Sequence, residues 1–158
     1  MAQTPLELLT AIAAPALITN ASSVLVLSTS NRFARAVDRT RAIAAKLGGN
    51  TAEERAALRP ELAIAHRRTR TLVRALTSFY IAVGAFAFGS FAGLIGSGVE
   101  TLGWGGSGPY FTAVALGVVT VGTLAIATGA VLLVLETRLA LRGLMIEAAA
   151  HEAERRLS

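Results

Sequence analysis

Residues 75–99 (ALTSFYIAVGAFAFGSFAGLIGSGV) and 101–135 each run without a single charged side chain. Crossing a hydrocarbon layer of about 30 Å takes about 20 helical residues, so both stretches are long enough to span one. A buried helix in a water-soluble protein of this size would be shorter and would show a polar stripe. Two spans are therefore expected. A third, residues 6–28 (LELLTAIAAPALITNASSVLVLS), has the length but carries Pro15, Thr19, Asn20, Ser22 and Ser23. The leading MAQTPLE lacks the positive n-region of a secretory signal, so this segment reads as a retained span. Its Pro15 is tolerated where neighbouring helices or water satisfy the freed carbonyl.

The basic residues fall in two windows, eleven between Arg32 and Arg74 and four between Arg138 and Arg156. The three spans end or begin at Arg32, Arg74 and Arg138, which places all three basic flanks on one side. By the positive-inside rule that side is the cytoplasm. The expected division has a first span within 1–31, amino terminus outside, and a basic cytoplasmic helical hairpin over 32–74. Spans two and three occupy 75–99 and 113–135, joined by an outer loop at 100–112, and residues 136–158 form a cytoplasmic helix. Trp104 and Tyr110 suit the outer interfacial belt, Phe79 and Tyr80 the inner one. The fold class is all-α, an integral membrane protein with three transmembrane helices.

The hairpin sets eleven basic side chains against four acidic ones, Asp38, Glu53, Glu54 and Glu61. Its first half reads as a helix continuing out of span one. Arg32, Arg35, Arg39 and Lys46 share one face, and Phe33, Val37, Ala44 and Leu47 another. Gly48, Gly49 and Asn50 form a stop, and Thr51 with Glu54 matches a capping box. Pro60 is expected to break or kink the second helix. Residues 136–158 carry four basic and four acidic side chains; they extend span three and pack on the hairpin. Asp38, Glu147, Glu152 and Glu154 are candidate partners for the surplus arginines, at about 0–1 kcal/mol per exposed pair.

Composition narrows the chemistry. The 158 residues are 53% apolar and 16% charged, with mean hydropathy +0.57 and no cysteine. Soluble domains carry about 25% charged residues. Without cysteine there is no disulfide framework, thiolate metal site or thiol nucleophile. No P-loop, nucleophile elbow, HExxH or dinucleotide fingerprint occurs, so neither enzyme activity nor a cofactor is expected.

Two stretches carry a family resemblance. One is Pro15 followed, after an apolar run, by Ser30-Asn-Arg-Phe-Ala-Arg-Ala-Val-Asp-Arg-Thr-Arg41; the other is Glu136-Thr-Arg-Leu-Ala-Leu-Arg142. With the three-span layout they resemble the DUF2721 family of small bacterial membrane proteins. The resemblance implies a bacterial inner-membrane protein and supplies no catalytic residues to carry over.

Several groups of residues could carry function. Thr19, Asn20 and Ser23 line a polar stripe that serves either as a permeation path or as interhelical contact at about 0.6–2 kcal/mol each. We weigh contact above path, because polar residues in spans so often serve association. Small residues recur at four-residue spacing, Ala85, Gly89, Gly93 and Ser97 in span two and Ala113, Gly117, Ala125 and Gly129 in span three with Val121 completing the row, which favours helix packing. Asp38, flanked by Arg35, Arg39 and Arg41, is a candidate ion-pair hub within or between chains, and Glu136 is expected to pair with Arg138, Arg142 or a neighbouring arginine. Glu147, His151 and Glu154 share a face, but such faces are usually only solvated, so no metal site is assigned. His66 reads as an exposed interfacial residue. The hairpin should attract anionic lipid headgroups at about 1 kcal/mol per basic residue. Nucleic acid is not expected as a partner, since no recognised fold accompanies the charge. The functional expectation is a homo-oligomer of structural or ion-channel type with the stripe of span one facing the assembly interior. The alternative is an accessory subunit that docks on a larger membrane complex.

Overall fold

In a computed structural model the chain forms three helices, α1 (Pro5–Leu47), α2 (Ala52–Thr101) and α3 (Gly108–Leu157). The structure describes residues 5–48, 51–103, 106 and 108–157, with backbone alone at 5–12, 14, 15, 57, 100, 101 and 146–157. Among the described residues there is no strand.

Helix ends follow local chemistry. α1 stops at Leu47, where the Gly48 N–H donates to the Ala45 carbonyl at 3.2 Å. Thr51 and Glu54 close a reciprocal capping box: the Thr51 N–H donates to Glu54 Oε2 at 3.0 Å, and the Glu54 N–H donates to Thr51 Oγ1 at 3.4 Å. Two orphan N–H groups are thereby satisfied. Pro60 does not break α2, which runs unbroken through it. Pro60 and Ala56 are both exposed, so the Ala56 carbonyl that loses its partner can be hydrated. The connection between α2 and α3 is shorter than residues 100–112, because α2 persists to Thr101 and α3 starts at Gly108. Pro109 fits the first turn of α3, where no intrahelical N–H is needed. Gly103 and Gly106 take φ of 70° and 119°, a backbone region that side chains disfavour.

The chain divides into two compact units. One takes α1 up to Ser28 together with Thr77–Gly129; the other takes Thr29–Leu76 and α3 from Ala130 on. In the first unit the buried positions recur every seven residues. On α2 these are Phe79 with Phe86, and Ala82 with Gly89 and Gly96; on α3, Gly108, Gly122 and Gly129 fall in the same register. A seven-residue repeat keeps one seam facing its partner, the pattern of left-handed helix packing. The backbones approach closely along it. A methyl group on Gly129 would lie 2.5 Å from Phe79 Cε1, one on Gly89 2.8 Å from Val119 Cγ2, and one on Gly96 3.0 Å from Phe111 Cβ.

This geometry changes two expectations. Gly117 is exposed with nothing within 4 Å, whereas Gly89, Gly93 and Gly129 meet the opposing helix. At 100° per residue, four-residue spacing rotates about 40° per step and leaves the seam, while seven-residue spacing drifts by only about 20°. Phe79 is fully buried against Gly129 and does not sit at an interfacial belt, while Tyr80 is exposed.

Among its described residues the first unit also exposes fifteen large hydrophobic side chains, including Leu17, Val24, Phe88, Phe91 and Leu124. None of its described side chains carries a formal charge. Apolar exposure on that scale is unusual for a protein surrounded by water. Among the described residues, the stretches Ala52–Val99 and Gly108–Met145 are long and apolar enough to cross a membrane. The expected first span begins in a part of α1 whose side chains lie outside the description.

In the second unit the same register continues through Thr29, Ala36 and Ile43 on α1 and through Ala65 and Leu72 on α2, all buried. Thr40 and Thr69 hydroxyls meet at 3.3 Å. The buried line on α1 is therefore Ala36 and Ile43, flanked by half-buried Phe33, Val37 and Leu47. Ala44, expected on the apolar face, is exposed. Gly129→Ala is expected to destabilise the fold by about 1–3 kcal/mol through overpacking against Phe79. Gly117→Ala should stay within about 0.5 kcal/mol. Thermal unfolding of both variants in one detergent, followed by circular dichroism, checks the contrast.

Candidate functional site

The second unit contains an open cleft of about 460 Å³. Its charged lining comprises Arg32, Arg35 and Arg39 from α1, Glu61 and Arg68 from α2, and Glu136 from α3. Ala36, Ile43, Ile64 and Leu144 supply an apolar wall.

Helical periodicity brings these side chains together. Arg32, Arg35 and Arg39 stand three and four residues apart, the spacing of neighbours on one helical face. Glu61 and Arg68 are seven apart on α2. Glu136 lies seven residues beyond Gly129 and seven before Gly143, so the packing register itself turns its carboxylate inward.

The Glu136 side chain is only 4% exposed. Arg68 Nε and Nη2 both donate to its Oε1, at 3.0 and 2.8 Å. Arg32 Nη1 stands 3.7 Å from Oε2, an ion pair beyond hydrogen-bond reach. A carboxylate removed from water needs such donors, because desolvation of an unpaired charge costs several kcal/mol. Nearer the surface, Arg39 Nη2 donates to Glu61 Oε1 at 2.8 Å.

The residues expected to form an ion-pair hub are only partly assembled. Glu136 pairs with Arg68 and Arg32 and with neither Arg138 nor Arg142. Residues two apart on a helix are about 200° apart, so Arg138 points away from Glu136. Asp38 is exposed and makes no ion pair among the described residues. Arg35 lines the cleft, likewise without an acidic partner among those residues. Arg68 lies 68 positions from Glu136, too far along the chain for proximity in sequence to mark it as the partner. The signal that could have found it is the seven-residue series Gly122, Gly129, Glu136, Gly143.

The polar stripe on α1 lies in the other unit and splits by direction. Ser22 is fully buried and donates to the Ile18 carbonyl at 2.8 Å. Ser23 is exposed and donates to the Thr19 carbonyl at 2.9 Å, while Thr19 is half-buried. Asn20, about 200° around the helix from Ser22, is exposed on the opposite face. His66 is exposed; Trp104 and the side chains of Glu147, His151, Glu152 and Glu154 lie outside the described residues.

Arg68→Leu would leave the Glu136 carboxylate buried without a hydrogen-bond donor. The expected loss is about 1–3 kcal/mol, moderated because Arg68 is itself 32% exposed. Arg39→Leu breaks a pair whose arginine is 51% exposed and should cost less than about 1 kcal/mol. Chemical denaturation of the two variants side by side measures the difference.

A family model described as "Protein of unknown function (DUF2721)" matches residues 12–146. No curated protein and no solved structure matches the chain. The matched region covers most of the sequence, including the buried glutamate, both arginines that face it and the exposed asparagine of α1. The chain belongs to the DUF2721 family.

Proposed function

We propose that this chain is a bacterial inner-membrane protein of three spans that works as a homo-oligomer, with the contact between copies built on α1. In this reading the amino terminus is outside and the carboxyl terminus cytoplasmic. The observation that carries the oligomer is the outward-facing Asn20, which shares its exposed side of α1 with Leu17, Val24 and Leu27. A hydroxyl in lipid satisfies its single donor on its own helix, as Ser22 and Ser23 do toward Ile18 and Thr19. An amide has two donors and a carbonyl, and among the described residues Asn20 finds no partner for them. Facing lipid, that amide is costly; facing the same amide in another copy, it contributes about 0.6–2 kcal/mol.

The topology rests on charge. Arg32, Arg74 and Arg138 all belong to one compact unit, which suits a single cytoplasmic side. That basic unit would face anionic headgroups. The apolar neighbours of Asn20 on its exposed side, Leu17, Val24 and Leu27, favour a structural contact over an ion-conducting path.

Native mass spectrometry of detergent-purified protein should give one symmetric oligomer, and Asn20→Leu should weaken association by about 3- to 30-fold per contact. A parent protein that is monomeric alone and co-purifies stoichiometrically with a larger complex would replace this reading with an accessory subunit. Reporter fusions should place the two chain ends on opposite sides of the membrane. Ends on the same side would rule out three spans.

A further inference from the structure

We infer that the cleft of the second unit is a discrete binding site for a phosphomonoester, gripped by Arg32 and Arg35. The site lies within one chain, so the inference does not depend on assembly.

Charge accounting within the cleft leads to this ligand. Among the described residues four arginines face two glutamates, leaving two positive charges in excess. Arg68 is committed to Glu136 through two hydrogen bonds and Arg39 to Glu61 through one. Arg32 reaches Glu136 only at 3.7 Å, and Arg35 has no acidic partner among the described residues. The surplus thus sits on two guanidinium groups three residues apart on one face of α1. A phosphomonoester carries about −1.5 to −2 charges near pH 7 and presents three acceptor oxygens. Two planar guanidinium forks match that geometry; a single carboxylate would neutralise only half of the surplus.

The rest of the cleft indicates an organic moiety beyond the phosphate. At about 460 Å³ it falls within the range of small-molecule sites, about 300–1,000 Å³. Ala36, Ile43, Ile64 and Leu144 give that moiety an apolar wall. Buried Glu136 would then act as a positioning residue: it fixes Arg68 and offsets part of the repulsion among the arginines that line the cleft. Diffuse attraction of basic residues to a charged surface predicts something different, because there every arginine counts equally.

The same headgroup chemistry could arrive on a soluble metabolite or on a lipid. Isothermal titration of the full chain in a neutral detergent, with glycerol 1-phosphate and separately with phosphatidic acid in mixed micelles, distinguishes the two. Saturable binding near one per chain is expected for at least one probe, with phosphatidylcholine micelles silent. Arg35→Gln should weaken that binding by about tenfold or more, the loss expected for a charge-assisted hydrogen bond. Arg70→Gln removes the same charge from an exposed position outside the cleft and should leave binding within about twofold. Binding of both probes assigns a soluble phosphomonoester; binding of phosphatidic acid alone assigns a lipid headgroup. Equal losses in the two variants, or no saturable binding of either probe, would overturn the site. Arg32→Gln gives a second reading of the same contact should Arg35→Gln purify poorly.

Discussion

Close approach of helix backbones along a seven-residue register is the constraint on which the rest of this protein depends. In the apolar unit, burying hydrocarbon brings little gain if the surroundings are lipid, so packing must come from contact itself. Contact requires that nothing stand between the backbones. Gly89, Gly96, Gly122 and Gly129 meet that demand, and the Phe79 ring lies over Gly129, where a methyl group would not fit.

The same register explains the burial of Glu136. Glu136 occupies a position that seven residues earlier is Gly129 and seven later is Gly143. A carboxylate there would be ruinous without donors, and Arg68 provides two of them on a single oxygen. Packing therefore dictates where the charge is buried, and the charge dictates where an arginine must stand. The cleft is the consequence: among the described residues, the arginines drawn toward two acids outnumber them.

The two units consequently pose opposite problems. One shows no charge on its described side chains and displays a broad apolar surface on which the Asn20 amide faces outward. The other gathers the described charged side chains and leaves part of the positive charge unneutralised. We read the first as a surface for a second copy and the second as a surface for an anion. Each reading follows from a polar group that finds no partner of its own among the described residues.

Much of this was legible in the sequence because it is local. The charge-free stretches, the stop at Gly48, the capping box of Thr51 and Glu54 and the long continuous helices all depend on neighbours within a few positions. The sequence also shows Asn20 to be out of place in an apolar run. What it left open is rotation about each helix axis. Four-residue spacing singles out Gly117 as readily as Gly89, and nearness in sequence offers Arg138 to Glu136 as readily as Arg68. A rotation of a few tens of degrees separates these choices, and no local interaction fixes it. Only contact between helices far apart in the chain, a ring over a glycine or a guanidinium on a carboxylate, sets that angle and with it the cleft.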